Sequence, residues 1–92
     1  MIKVNEYFDG KVKSLGLKNT QGNFTIGVLT KGTYEFNTST KEWMTLTAGA
    51  WEIQLPNSDK KTFGINETCE IPSGITFTVY ALEDSAYLCK YE

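Results

Sequence analysis

Apolar and polar positions alternate with a period of two along most of this chain. Val12, Ser14 and Gly16 alternate with Lys11, Lys13 and Leu15, and Phe24, Ile26 and Val28 alternate with Thr25, Gly27 and Leu29. Tyr34 and Phe36 bracket Glu35. Trp51, Ile53 and Leu55 form one face of a run whose other face is Glu52 and Gln54. Ile75, Phe77, Val79 and Ala81 share a face, as do Tyr87, Cys89 and Tyr91. Alternation with β-branched and aromatic enrichment predicts strands. Turn signals fall between them at Asp9-Gly10, Asn19–Gly22, Lys31-Gly32, Pro56–Asp59, Pro72–Gly74 and Glu83-Asp84. No stretch sustains helical spacing over three turns. Short strands at roughly ten-residue intervals predict an all-β sandwich or closed barrel.

Length adds one domain, residues 1–92, and a warning. A chain of 92 residues buries only about two-thirds of its unfolded surface, so association with a second copy would help it. The net charge of -2 offers no basic field to a nucleic acid polymer or an anionic membrane. The chain has no histidine, which removes imidazole as base or metal ligand. All nine cations are lysines, so no guanidinium fork can grip phosphate. Cys69 and Cys89 form no C-x-x-C pair, and Met1–Asn5 is not an apolar leader segment, so reduced thiols and a cytoplasmic location are expected. No apolar run is long enough to span a membrane.

Two stretches resemble the cupin motifs. In the second motif, G-x5-P-x-G-x2-H-x3-N, Pro72 and Gly74 fit, with Asn66 in place of the first glycine and Phe77 in place of the histidine. Glu42 followed by Gly49 reproduces the Glu-x6-Gly spacing of the first motif. The turn grammar is that of a cupin while the ligand positions are aromatic.

A resemblance to a narrower family covers almost the whole chain. Asn5–Ser14 looks like the NEYFxGKVKS opening of the small bacterial pyrimidine/purine nucleoside phosphorylases of the cupin superfamily. Further matching segments follow in order: Gly27-Val28, Gly32-x-Tyr34-x-Phe36-x-Thr38, Glu42-x-Met44-Thr45, Gly49-Ala50, Leu55-Pro56, Ile71-Pro72, Phe77 and Tyr87–Tyr91. The resemblance implies a single cupin domain, a small β-barrel or jelly roll. It also implies phosphate-dependent cleavage of nucleosides to free base and pentose 1-phosphate. Departures from the family are Lys90 in a Cys-Arg-Tyr ending, Asn23 where some members carry arginine, and the missing histidines.

Such a reaction needs a site that holds phosphate, tolerates positive charge on the sugar and helps the base depart. Glu42 is the candidate general acid, because cupin spacing puts it at the barrel mouth or in the lumen, desolvated by Phe36, Trp43 and Met44. Tyr34, Phe36, Met44, Phe77, Tyr87 and Tyr91 are the candidate substrate-binding residues. Flat bases stack on such rings without discrimination, although small barrels also fill their cores with them. Lys11 and Lys13 are the candidate phosphate ligands. Glu35, between two inward aromatics, reads as a surface residue, and Cys89 reads as packing. No metal site and no cofactor are expected, with nucleosides and inorganic phosphate as the small-molecule partners. Tyr7 and Phe8 fall in an edge strand or arm suited to pairing across a two-fold axis, which makes a homodimer the expected assembly. The rival reading is a non-catalytic cupin that binds a small metabolite; a metal-dependent enzyme is disfavoured by the absence of histidine.

Overall fold

The computed structural model describes residues 2–92, and its elements are all strands. They are β1 (Lys3–Tyr7), β2 (Val12–Asn19), β3 (Gly22–Leu29), β4 (Gly32–Asn37), β5 (Glu42–Ala48), β6 (Trp51–Gln54), β7 (Lys61–Phe63), β8 (Thr68–Ile71), β9 (Thr76–Ala81) and β10 (Ser85–Tyr91). A six-stranded sheet has the order β1-β2-β3-β10-β5-β8, and a four-stranded sheet the order β4-β9-β6-β7. Every pairing is antiparallel. The expected barrel is therefore an open jelly roll, two sheets face to face with free edges at β1, β8, β4 and β7. Alternation missed β1, β5, β7 and β8, the first of which is expected as an edge strand or arm on other grounds. β7 and β8 are only three and four residues long, too short for a period to register.

The core lies between the sheets. Trp51, Phe77, Leu29, Leu46, Ile53, Ile71, Val12, Val79 and Cys89 are almost fully enclosed, and the Trp51 ring packs on Tyr87 at 5.7 Å. These residues sit at alternate positions of their strands, so the period-two pattern is the packing pattern. On β10 the buried set is Tyr87 and Cys89, with Tyr91 half-buried behind them. Cys69 and Cys89 are both free thiols. Both pair with Met44, from opposite sides of β5. Two strand spacings of about 4.8 Å hold their backbones about 9.6 Å apart, beyond disulfide reach.

One strand turns its apolar face the other way. On β3 it is Gly27 and Leu29 that are buried, while Ile26 and Val28 are more than half exposed at 55% and 59%. Cross-strand register places Val4, Leu15, Ile26 and Leu88 in one row on the outside of the six-stranded sheet. Leu17 and Val28 flank that row and are also exposed.

Two turns place the site. The β1–β2 hairpin turns through Phe8 (φ 54°) and Asp9 (φ 55°), closed by Gly10 N–H donating to the Tyr7 carbonyl at 3.2 Å. Both central residues at positive φ define a type I′ turn, which asks for Asn, Asp or Gly. A phenylalanine holds that conformation here because its ring seats on Tyr34 and Phe36, with centroids 5.1 and 5.7 Å away. The Pro72-Ser73-Gly74 turn is pinned to the β4–β5 loop by buried Thr38. The Thr38 hydroxyl donates to the Pro72 carbonyl at 2.7 Å and accepts from the Ile75 N–H at 3.1 Å. Gly74 has φ 72°, the left-handed conformation that makes a glycine the natural residue there.

Candidate active site

A cavity of about 550 Å³ opens between the two sheets beside β4. That volume is within the range of small-ligand pockets. From β10 come Tyr87, Cys89 and Tyr91, and from β5 come Glu42 and Met44. Phe77 of β9 and Phe36 of β4 supply an aromatic wall, their rings 5.8 Å apart. The hairpin tip contributes Tyr7 and Phe8, and β2 contributes Ser14. Glu35, Asn37 and Ser39 line the rim.

The cavity exists because strand periodicity aims β10 inward at every second residue and because β3 leaves room there. Tyr87 lies over Gly27, its cross-strand partner. The Ser14 hydroxyl is in the next strand of the same row and accepts from the Asn5 amide at 3.2 Å. Tyr91 shares a hydrogen bond with the Thr25 hydroxyl at 2.9 Å. Burial pushes the Tyr87 phenol up to about 12, helped by the charge of nearby groups and opposed by the Ser14 hydroxyl. Burial raises Tyr91 as well. Both remain neutral donors throughout the physiological range.

Glu42 stands at the start of β5, opposite Tyr91 on one side and Ile71 on the other. Desolvation by burial holds its carboxyl above the ordinary carboxylate value, and a hydrogen bond from Cys89 works in the opposite direction. The Cys89 Sγ donates to Glu42 Oε1 at 3.4 Å. A carboxyl group retained closer to neutrality inside an apolar pocket is suited to deliver a proton.

The structure thus brings Glu42, Phe36, Met44, Phe77, Tyr87 and Tyr91 into one cavity and leaves three expected residues outside it. Tyr34 is buried beneath Phe8, and its hydroxyl is occupied by the Thr30 carbonyl (2.9 Å) and the Thr30 hydroxyl (2.8 Å). Lys11 and Lys13 are exposed and outside the lining. Val12 and Ser14 take the inward positions of β2, and alternation sends the two lysines out. The phosphate role expected of them finds no geometric support. Among the described residues the lining carries two carboxylates and no lysine.

Sequence reasoning passed over Tyr7, Phe8, Ser14, Asn37, Ser39 and Cys89. Two signals were available: Cys89 shares the face of Tyr87 and Tyr91, and Ser14 shares that of Val12. Glu35 does point outward and is exposed, but β4 is an edge strand, so its outer side still meets the rim.

Two facing antiparallel sheets with a cavity opening between them make a jelly-roll-like all-β fold. Solved structures share it. A Vibrio parahaemolyticus protein of unknown function is 33% identical, with a TM-score of 0.94 covering 100% of this chain and 99% of that one. An Acinetobacter protein of unknown function, 22% identical, shares the fold with a TM-score of 0.89 over 98% of this chain and 90% of its own. A family model described as pyrimidine/purine nucleoside phosphorylase matches residues 2–91. Relatives named pyrimidine/purine nucleoside phosphorylase include one from Cellvibrio japonicus, 47% identical over 100% of both chains. Another, from Alcanivorax borkumensis, is 49% identical over 99% of this chain and 98% of its own. The chain belongs to the pyrimidine/purine nucleoside phosphorylase family.

Proposed function

We propose that the chain is a broad-specificity nucleoside phosphorylase, a pentosyltransferase that passes the sugar from a base to inorganic phosphate. The observation that carries this reading is the seating of Glu42 among Phe36, Phe77, Tyr87 and Tyr91 in one cavity, in a chain with full-length relatives named for that activity. The bond between the anomeric carbon and the base nitrogen breaks, and its electron pair leaves with the base. A phosphate oxygen forms the new bond to that carbon. Glu42 gives its proton to the departing base, and the products are free base and (deoxy)ribose 1-phosphate. The aromatic walls accept any planar base by stacking, which suits broad tolerance. Phosphate would be held by Asn37 and the Ser39 hydroxyl at the rim together with the Tyr7 hydroxyl, the polar groups that the lining offers toward solvent.

No metal or cofactor is needed in this scheme, and among the described residues no cluster of three potential ligands is found. We place the protein in the cytoplasm, consistent with its two free thiols. Among the described residues no helix is long and apolar enough to cross a membrane. We further propose a homodimer joined through the outer face of the six-stranded sheet rather than through a β1 arm alone. Val4, Leu15, Leu17, Ile26 and Val28 are each 46–66% exposed there. They make a patch on the order of 500 Å², near the upper limit for a monomer. Glu6 and Lys13, cross-strand partners, give its rim both signs of charge, as a self-complementary contact requires.

The second reading, a cupin that binds a small metabolite without turning it over, draws on the absence of lysine from the described lining. Incubating the protein with uridine, inosine, guanosine, adenosine and thymidine, with and without phosphate, separates the two. Phosphate-dependent release of base supports the phosphorylase. Binding without release under any condition supports the sensor.

A further inference from the structure

The Glu42 carboxyl has one side-chain hydrogen-bond partner among the described residues, and that partner is 47 residues away in sequence. We propose that Cys89 is a positioning residue for Glu42: its thiol occupies Oε1 and so keeps the transferable proton on Oε2, facing the cavity. The proposal rests on Glu42 being the acid.

Of the two acceptors within reach of the Cys89 Sγ, Glu42 Oε1 at 3.4 Å is nearer than the Lys90 carbonyl at 4.0 Å. Cys89 is 1% exposed and pairs with Met44, two residues along β5 from Glu42, so its side chain and that of Glu42 emerge on the same face. A thiol is a donor, and burial together with the charge of Glu42 raises its own ionisation well above the ordinary thiol range. It therefore stays protonated at working pH. Before reaction, the S–H bond engages the carbonyl oxygen of a neutral carboxyl. When the Oε2 proton moves to the base, the same S–H faces a carboxylate. A donor already in place strengthens as that negative charge develops, which lowers the barrier without reorganisation. The other ionisable groups lining the cavity are Tyr87 and Tyr91 on β10, Glu35 on β4 and Tyr7 on β1. Among the described residues, none has a side-chain hydrogen bond to Glu42.

The test compares Cys89→Val, which keeps volume and removes the donor, with Cys89→Ser, which keeps a donor. The Glu42 carboxyl is titrated by carbon NMR without substrate. Cys89→Val is expected to move that titration to higher pH, while Cys89→Ser leaves it at or below the wild-type position. Turnover of inosine with phosphate should then show kcat reduced about fivefold in Cys89→Val with KM unchanged. A role in packing alone gives the reverse order, with Val harmless and Ser damaging, and an unmoved Glu42 titration in Cys89→Val overturns the proposal. Should either variant fail to fold, the Cys89 S–H infrared stretch settles the matter. It shifts on going from wild type to Glu42→Gln if the thiol donates to the carboxyl, and stays put if it does not. Full activity in Glu42→Gln would overturn the acid role itself, and it is read independently of the titration.

Discussion

Gly27 is the floor on which Tyr87 lies. A Cβ placed on Gly27 would collide with the Cζ, Cε1 and hydroxyl oxygen of Tyr87, and Gly27 has no positive φ to explain its choice. The glycine is there for space. That space lets a phenol lie flat over β3 and reach toward Ser14 while its edge faces the cavity. Gly27→Ala must either displace the ring or shift β3. Overpacking of this kind costs about 1–3 kcal/mol, and in a domain of this size each kcal/mol lowers Tm by roughly 4–8 °C. Calorimetry should show that loss. Turnover should fall further than stability does, because the ring that moves is a pocket wall.

Glu42 sets activity against stability. Its folded-state pKa is raised above 4.5 by burial, so the folded chain binds this proton more tightly than the unfolded one. Stability from this group is present in full below about pH 4.5 and is lost as pH rises through the folded value. Glu42→Gln removes the charge that burial penalises. The variant should melt above wild type at pH 7–8, and the gap should close as pH falls toward 4. Activity should move the other way, with kcat down by about 10²–10³-fold for the loss of a general acid. Equal melting temperatures across that range would show that Glu42 is not desolvated in solution.

How far these features were legible follows from what alternation encodes. A period of two says which residues share a face, so Tyr87, Cys89 and Tyr91 were readable as a set, and so were Phe77 and Val79. It does not say which face is inward. On β3 the bulkier set, Phe24, Ile26 and Val28, lies outward, because Gly27 must accommodate Tyr87 and Leu29 fills the core beside Val12. Glu42 was legible through motif spacing, and its hydrogen bond to Cys89 was not, because a contact between β5 and β10 is fixed by topology. Phe8 was hidden for another reason. Turn chemistry reads Asp9-Gly10 as the hairpin tip and gives no hint that the residue before it adopts a left-handed conformation and seats on β4.

The two β2-side lysines make a sharp test of where phosphate sits. Both are exposed and face away from the cavity. Lys11→Ala and Lys13→Ala should each leave the KM for phosphate within about twofold of wild type, since exposed charges at this distance are screened. Ser39→Ala and Tyr7→Phe, by contrast, each remove a lining hydroxyl and should raise that KM by about threefold to tenfold. A large effect confined to Lys13→Ala would place phosphate on the outer side of β2 and move the reaction out of the cavity.

The outer row of Val4, Leu15, Ile26 and Leu88 predicts how copies meet. Ile26 is central to the row, 55% exposed, and contributes nothing to the core between the sheets. A lysine there should therefore leave the protomer folded while placing like charges face to face across a two-fold axis, where their repulsion is costly. Light scattering is expected to give a dimer for wild type and a monomer for Ile26→Lys, with unchanged strand content by circular dichroism. Because the cavity is enclosed by residues of a single chain, the monomer should keep most of its turnover at low temperature. Its Tm should be lower, and wild-type Tm should rise with protein concentration while the variant's does not. A wild-type protein that is monomeric at every concentration would mean that this apolar face is left to water, and would remove the two-fold assembly altogether.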